Sequence, residues 1–432
     1  MVRELSTGPT AAPGSAPERS TLIERFQQVR DFSESLCAPL AAEDYVIQSM
    51  PDCSPTKWHL AHVSWFFETF LLTPNAPDYV SPDPGYAYLF NSYYNAIGDK
   101  YPRPHRGLIS RPTVAQVYTY RAHVDEHVQD LLECAHSDDF ARLESIVTLG
   151  LNHEQQHQEL IVTDLKHMLS HNPLHPVYVE RASGSSPEAA PLGWQDFGEG
   201  VYWIGHAGAD FAFDNEEPRH RQFIHSFQLA TRPVTNAEYL DFMHDGGYER
   251  PEFWLSMGWA TVQQEGWRAP LYWEEHDGTW FHFTLSGLQP VNLSETAVHI
   301  SYFEADAFAR WAGARLPTEG EWELAATGTP MDGNFAEERR FHPRTVAANG
   351  SGLSALFGNV WEWTQSSYSA YPGFRTAPGA LGEYNGKFMC NQYVLRGGSC
   401  ATPRSHLRPT YRNFFPPEAR WQFSGVRLAK DA

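Results

Sequence analysis

Hydrophobic periodicity changes character once along this 432-residue chain, and that change constrains its architecture more than any other feature. Apolar residues recur at three- and four-residue spacing in "TLIERFQQVRDFSESL" (21–36), "TKWHLAHVSWFFETFLL" (56–72), "TVAQVYTYRAHVDEHVQDLLECA" (113–135) and a long stretch from Ala141 to Ser170. Each stretch predicts an amphipathic helix, and four such stripes bury one another by packing as a bundle. A long connection rich in Tyr, Asn, Pro and Arg separates the second from the third. At "RASGSSPEAAPLG" (181–193) the helical period stops and small residues and Pro take over, as in a linker. Beyond it the chain is rich in Trp, Gly and Pro. Only "NAEYLDFMHD" (236–245) and "SYFEADAFARWAGA" (301–314) read clearly as helices there, which predicts a loop-dominated α+β half. The expected organisation is a disordered tail over 1–20, a four-helix bundle over 21–178, a linker over 179–195 and a second domain over 196–430.

A formal charge of -20 argues against nonspecific binding to nucleic acid or to an anionic membrane, because both need a basic surface. No run of about 18 apolar residues is present, and the N-terminal stretch lacks the apolar segment of a signal peptide, so a cytoplasmic protein is expected. Cys37, Cys53, Cys134, Cys390 and Cys400 are odd in number and form no C-x-x-C pair, which indicates neither a disulfide framework nor a zinc ribbon.

Residues 151–160, "LNHEQQHQEL", contain the H-E-x-x-H pattern of zinc proteases. His153 and His157 project about 40° apart on one helix face and can chelate one ion. A metalloprotease needs a further ligand downstream, yet the positions of the extended motif hold Leu160 and Thr163, and Glu180 lies where the helical pattern is ending. In a bundle the third ligand can come from a facing helix instead, and "KWHLAHVSW" offers His59 and His62. His123 and His127 form a rival i,i+4 pair, but among Arg121, Asp125 and Glu126 they read as a solvated face.

"WHLAH" with "HEQQHQE" resembles the DinB-like bundle of iron-dependent sulfoxide synthases. "RPVTNAEYLDFM", "ARLPTEGEWELAA", "GNVWEWTQSSY", "VLRGGS" and "FSGVRLA", in that order, resemble the formylglycine-generating-enzyme or sulfatase-modifying-factor fold, which is C-type-lectin-like. Together these motifs cover nearly all of residues 21–430, and the combination is similar to the ergothioneine-type sulfoxide synthases, the EgtB group. The resemblance implies a non-haem Fe(II) oxygenase. Such an enzyme uses O2 to join a thiol sulfur to C2 of the imidazole of hercynine, N-alpha-trimethylhistidine, as a sulfoxide.

The resemblance further implies that His62, His153 and His157 hold the iron. Three neutral imidazoles leave open positions for thiolate, imidazole and O2. It assigns hercynine contacts to Gln156 and Asn413, and contacts to the thiol substrate's carboxylates to Arg103 and Arg106, whose forked guanidinium suits them. Where mycobacterial-type members carry Trp-Asp, this chain has Phe414 and Phe415. Loss of that Asp favours cysteine over gamma-glutamylcysteine as donor. The family also needs a tyrosine that donates a proton or hydrogen atom and steers the reaction away from cysteine dioxygenation. Tyr93 and Tyr94 in "LFNSYYNA" are the first choice, and Tyr368 and Tyr371 in "SSYSAYPGF" the second. "GNVWEW" and "LRGGS" are expected to form the fold only. Two other readings remain: an ovothiol-type synthase using histidine, and a non-catalytic protein whose histidines hold a structural metal.

Overall fold

The computed structural model describes residues 16–180, 187–347, 352–376, 379 and 382–432. The chain divides into two compact units. One takes in residues up to Ser92 together with Gly98–His157, and the other Tyr93–Ile97 together with Gln158–Ala432. Residues 1–15 of the expected tail and 181–186 of the expected linker lie outside the described residues. Residues 16–20, assigned to the tail from their composition, form the first turn of a helix.

The first unit is built on α1 (Ala16–Cys37), α2 (Thr56–Phe67), α5 (Val114–Cys134) and the N-terminal part of α6 (Ser137–Ser170), with short turns α3 (Thr73–Asn75) and α4 (Tyr86–Leu89) in the connection. α5 starts where expected because Thr113 caps it: the Thr113 hydroxyl accepts from the Gln116 amide while the Gln116 side chain returns the bond, satisfying two amides a helix start leaves open. All twelve residues of α2 are buried, Lys57, His59, His62 and Ser64 among them, so the helix is enclosed on every side. A π-turn over Glu68–Leu72 continues α2. Phe26 of α1 meets Phe67 edge to face with ring centroids 5.2 Å apart.

The second unit carries α7 (Asn236–His244), α8 (Ser256–Glu265), α9 (Tyr302–Trp311), α10 (Glu319–Ala326) and a short α11 (Glu383–Gly386). Among the described residues four small sheets accompany them. β1 (Trp194–Phe197), β4 (Phe227–Ala230) and β12 (Ala429–Asp431) form one, in the order β1-β4-β12. β2 (Gly200–Ile204) pairs with β3 (His220–Ile224), and β5 (Trp273–His276), β6 (Thr279–Thr284) and β7 (Gly287–Pro290) form a meander. β8 (Trp361–Ser367), β9 (Tyr393–Arg396), β10 (Asn413–Phe415) and β11 (Ser424–Gly425) run in the order β10-β9-β8-β11. The α+β character is as expected, with three further helices, α8, α10 and the four-residue α11, that hydrophobic periodicity did not mark. α10 announces itself by its cap instead: Thr318 and Glu321 form the same reciprocal box as Thr113 and Gln116. Trp322, Trp361 and Trp363 fill the core, and a buried Arg427–Glu362 ion pair at 2.8 Å also accepts the Trp322 indole N–H at 2.7 Å. Among the described residues no helix is long and apolar enough to cross a membrane.

In α6, Gly150 is required by close packing. A Cβ there would lie 2.5 Å from the Phe67 ring, which is itself fully buried. Gly150→Ala gains helix propensity of about 1 kcal/mol but forces Phe67 off its site, so a net loss of roughly 1–2 kcal/mol is expected, read as a lower denaturation midpoint.

Candidate metal centre

α2 and α6 bring His62, His153 and His157 together, so that one ring nitrogen from each lies within 4.8 Å of the others. The ring centroids are 4.7–5.0 Å apart. His62 and His153 are buried, at 2% and 7% exposure. Burial first, and for His62 and His157 the neighbouring imidazoles next, lower all three pKa values; His153 falls to about 4. Near neutral pH the trio is therefore uncharged with lone pairs available, the form a metal takes.

Two of the three rings are oriented by a second bond. His62 Nδ1 donates to the Phe90 carbonyl at 2.6 Å, which directs Nε2 toward the other two histidines. His157 Nδ1 sits 2.8 Å from His59 Nδ1, so the first histidine of "WHLAH" acts as the orienting partner of a histidine on the facing helix. Sequence spacing did not point to that role for His59, because the bond joins positions 98 residues apart. Trp58 stacks on His62 at 4.6 Å and nearly parallel, at 13°.

Glu154, the protease base of the H-E-x-x-H reading, is fully buried and turned away to a different task. Its carboxylate accepts from Arg121 Nη2 at 2.6 Å, Arg30 Nη1 at 2.8 Å and Ser33 Oγ at 2.6 Å. Burial alone would raise its pKa, but the two guanidinium groups and the hydroxyl hold it down to about 2. Asp125 completes the group, 2.7 Å from Arg30 Nε. Arg121 is thus a core residue, and Asp125, four further along α5, is half-buried against Arg30, whereas their charge had suggested a solvated face. His123 and His127 are half-buried, and among the described residues no third ligand joins them.

The other candidates fall in both units. In the first, Arg106 is buried, donating to Ser54 Oγ at 2.9 Å and Ser92 Oγ at 3.0 Å with its guanidinium 3.4 Å above the Trp58 ring. Arg103, on the same 3₁₀ turn, donates to the Asp52 carbonyl. Gln156 is half-buried on α6 beside His157. In the second unit, Tyr93 lies 5.0 Å from the Phe388 ring and accepts at its carbonyl from Lys387, and buried Tyr94 stacks on Tyr384 at 6.4 Å. Phe388 in turn meets Phe414 at 5.7 Å, and Phe414 stacks on Tyr368 at 4.0 Å. Asn413 accepts from the Phe414 amide at 2.9 Å, and half-buried Phe415 meets Trp421 edge to face at 6.0 Å. Tyr371 is committed to the core, bonding Arg396 at 3.1 Å and Glu319 at 3.4 Å.

A carboxyl whose folded pKa lies below its unfolded value adds stability above the unfolded value, and loses it as pH falls toward the folded one. For Glu154 that window runs from its ordinary 4.5 down to about 2. Glu154→Gln is expected to cost roughly 3–5 kcal/mol at pH 7, since it leaves buried guanidinium charge uncompensated. The gap to wild type narrows in denaturation curves taken from about pH 5 downward.

Comparison with known proteins matches both parts of the chain. Residues 25–161 match the DinB superfamily, and residues 199–432 match the sulfatase-modifying factor enzyme 1-like domain. The "Hercynine oxygenase" of Mycolicibacterium smegmatis is 33% identical over 416 residues, covering 89% of this chain and 92% of that protein. The protein of the same name from Mycobacterium tuberculosis is 32% identical over 405 residues, covering 88% of this chain and 92% of its own. "Ergothioneine biosynthesis protein 1" of Schizosaccharomyces pombe is 30% identical over 233 residues, 51% of this chain and 28% of its own length. With a DinB-like bundle, a formylglycine-generating-enzyme-like domain and oxygenase relatives along almost its whole length, the chain belongs to the hercynine oxygenase family and is an oxidoreductase of that family.

Proposed function

We propose that this enzyme is a non-haem Fe(II)- and O2-dependent sulfoxide synthase. It joins the sulfur of cysteine to C2 of the hercynine imidazole, giving hercynylcysteine sulfoxide in ergothioneine biosynthesis. The observation that carries the reading is the neutral three-histidine cluster of His62, His153 and His157, with His62 and His157 oriented from behind by Phe90 and His59. Three imidazole donors fit a borderline ion such as Fe(II) and leave part of its coordination sphere for substrates. When bound, the iron supplies the redox chemistry that activates O2 and a common anchor that removes the entropic cost of bringing two substrates together.

The remaining steps belong to the chain. Arg103 and Arg106 bind the carboxylate of the thiol substrate. Two serine hydroxyls and a tryptophan face fix the orientation of the Arg106 guanidinium, and a guanidinium pairs readily with a carboxylate. Gln156 and Asn413 orient hercynine by hydrogen bonds. Tyr93 or Tyr94 delivers the proton that separates sulfoxide formation from simple thiol oxidation, and the aromatic packing of Tyr384 and Phe388 keeps that pair rigid. Phe415 presents a ring where a carboxylate would be needed to pair with the ammonium of a gamma-glutamyl group, which favours free cysteine.

His62→Ala is expected to abolish iron retention, measured by metal analysis after desalting, while His123→Ala retains the wild-type amount; the reverse pattern overturns the ligand assignment. The reaction itself is tested by mass spectrometry after aerobic incubation of Fe(II)-loaded protein with hercynine and either cysteine or gamma-glutamylcysteine. A C2-linked sulfoxide formed preferentially with cysteine is expected, and Phe415→Asp is expected to shift the preference toward gamma-glutamylcysteine. Absence of coupled product and of O2 uptake with both thiols would refute the proposal.

A further inference from the structure

The second unit contains another cluster of ligand-type side chains, remote in sequence from the histidine trio and unused in the reaction above. His282 on β6, Glu295 after β7 and His342 before β8 each offer one donor atom, and these lie within 4.8 Å of one another. All three residues are buried, at 4%, 2% and 2% exposure. His342 Nε2 is 2.9 Å from Glu295 Oε2, and the His282 and His342 rings stand edge to face with centroids 5.0 Å apart. That ring separation falls within a few tenths of an ångström of those in the His62, His153 and His157 cluster.

The backbone around each residue is held independently of the cluster. His282 pairs across the meander with Trp273 on one side and Gln289 on the other. The Glu295 carbonyl accepts from the Asn236 amide at 2.9 Å, and Glu295 bridges Thr345. The His342 carbonyl accepts from Asn334 Nδ2 at 2.8 Å, and the Arg344 amide two residues on donates to Asn359 Oδ1 at 2.6 Å. The three side chains are therefore presented by segments whose backbones are fixed through other groups. Arg340 Nη2 approaches the other carboxylate oxygen of Glu295, Oε1, at 3.3 Å, which leaves Oε2 directed at the imidazoles. An outer-shell donor of this kind orients a ligating carboxylate.

Two imidazoles and a carboxylate that converge in the interior, one donor atom from each within 4.8 Å of the others, have the spacing at which a single ion accepts a lone pair from each. We propose that His282, Glu295 and His342 form a second metal site, selective for a borderline first-row divalent ion of the zinc class. Two imidazoles and one carboxylate are a donor set that zinc takes readily and that hard, oxygen-seeking calcium or magnesium do not. The ion would cross-link β6, the segment after β7 and the loop before β8, a structural task separate from the redox centre.

The test uses the full-length protein with His62 and His157 both replaced by alanine, so that the bundle cluster no longer competes. The protein is loaded with Zn2+ or Co2+, desalted and assayed by metal analysis and, for Co2+, by visible absorption. About one equivalent bound with tetrahedral-type cobalt bands is expected, falling to background on adding His342→Ala or, as a milder change, His282→Gln. Circular dichroism of each variant separates loss of the ion from loss of fold. No retained ion in the His62→Ala/His157→Ala protein overturns the proposal. So does an ion that survives in a folded protein carrying either further change.

Discussion

Everything in the bundle turns on the charge held between Arg30, Arg121 and Glu154. Glu154 stands on α6, Arg30 and Ser33 on α1 and Arg121 on α5, and Arg30 also donates to Ser64 of α2 at 2.9 Å. One carboxylate thus ties four helices at a single level. Taking these charges out of water is costly, and the cost is offset only because the carboxylate receives three donors in good geometry. Apolar residues of the same volume could fill that space, but they would permit helices to slide by a turn. A charge that must meet its partners does not, and it therefore sets the register of the bundle.

That register has chemical value because Glu154 follows His153 and precedes His157 by three residues. The same rotation of α6 that turns the carboxylate to the guanidinium groups turns both imidazoles toward His62. Charge lies on one side of the helix and neutral, lone-pair-bearing rings on the other. Burial keeps the rings uncharged and the ion pair keeps the acid ionised, so one dry environment sets opposite protonation behaviour in adjacent residues.

Helix positions and the His153–His157 pair were legible in the sequence because both rest on short-range period: apolar residues at three and four, ligands at four. The arrival of His62 from the facing helix was suggested by the resemblance and by the aromatic setting of α2. What spacing does not encode is the partner across the core. His59 against His157, 98 residues apart, Arg121 against Glu154, 33 apart, and Glu295 against His342, 47 apart, are pairings of this kind, and His282 joins the last of them. Charge misleads in the same way: Arg121 carries the composition of a surface and occupies the interior. α8 and α10 escape periodicity for different reasons: only Gly258 and Val262 of α8 are buried, so it carries no apolar stripe, whereas α10 is buried on nearly every side and mixes Glu319, Glu321 and Glu323 with Trp322 and its alanines, although the Thr318–Glu321 box marks it.

Glu159 carries a different consequence. This buried carboxyl, two residues beyond His157, accepts the indole N–H of Trp361 at 2.8 Å and the hydroxyls of Ser399 at 2.5 Å and Thr402 at 2.7 Å. Trp361 belongs to "GNVWEW" and Ser399 to "LRGGS", motifs that look like pure scaffold; here they form a receptor for one acidic side chain on α6. The C-terminal half is therefore not a module that begins after the Pro- and Ser-rich stretch. A chimaera joined at residues 181–193 would import a Trp361 pocket without its acid, or an acid without its pocket. A domain exchange keeps this contact only if the end of α6 travels with the domain that reads it.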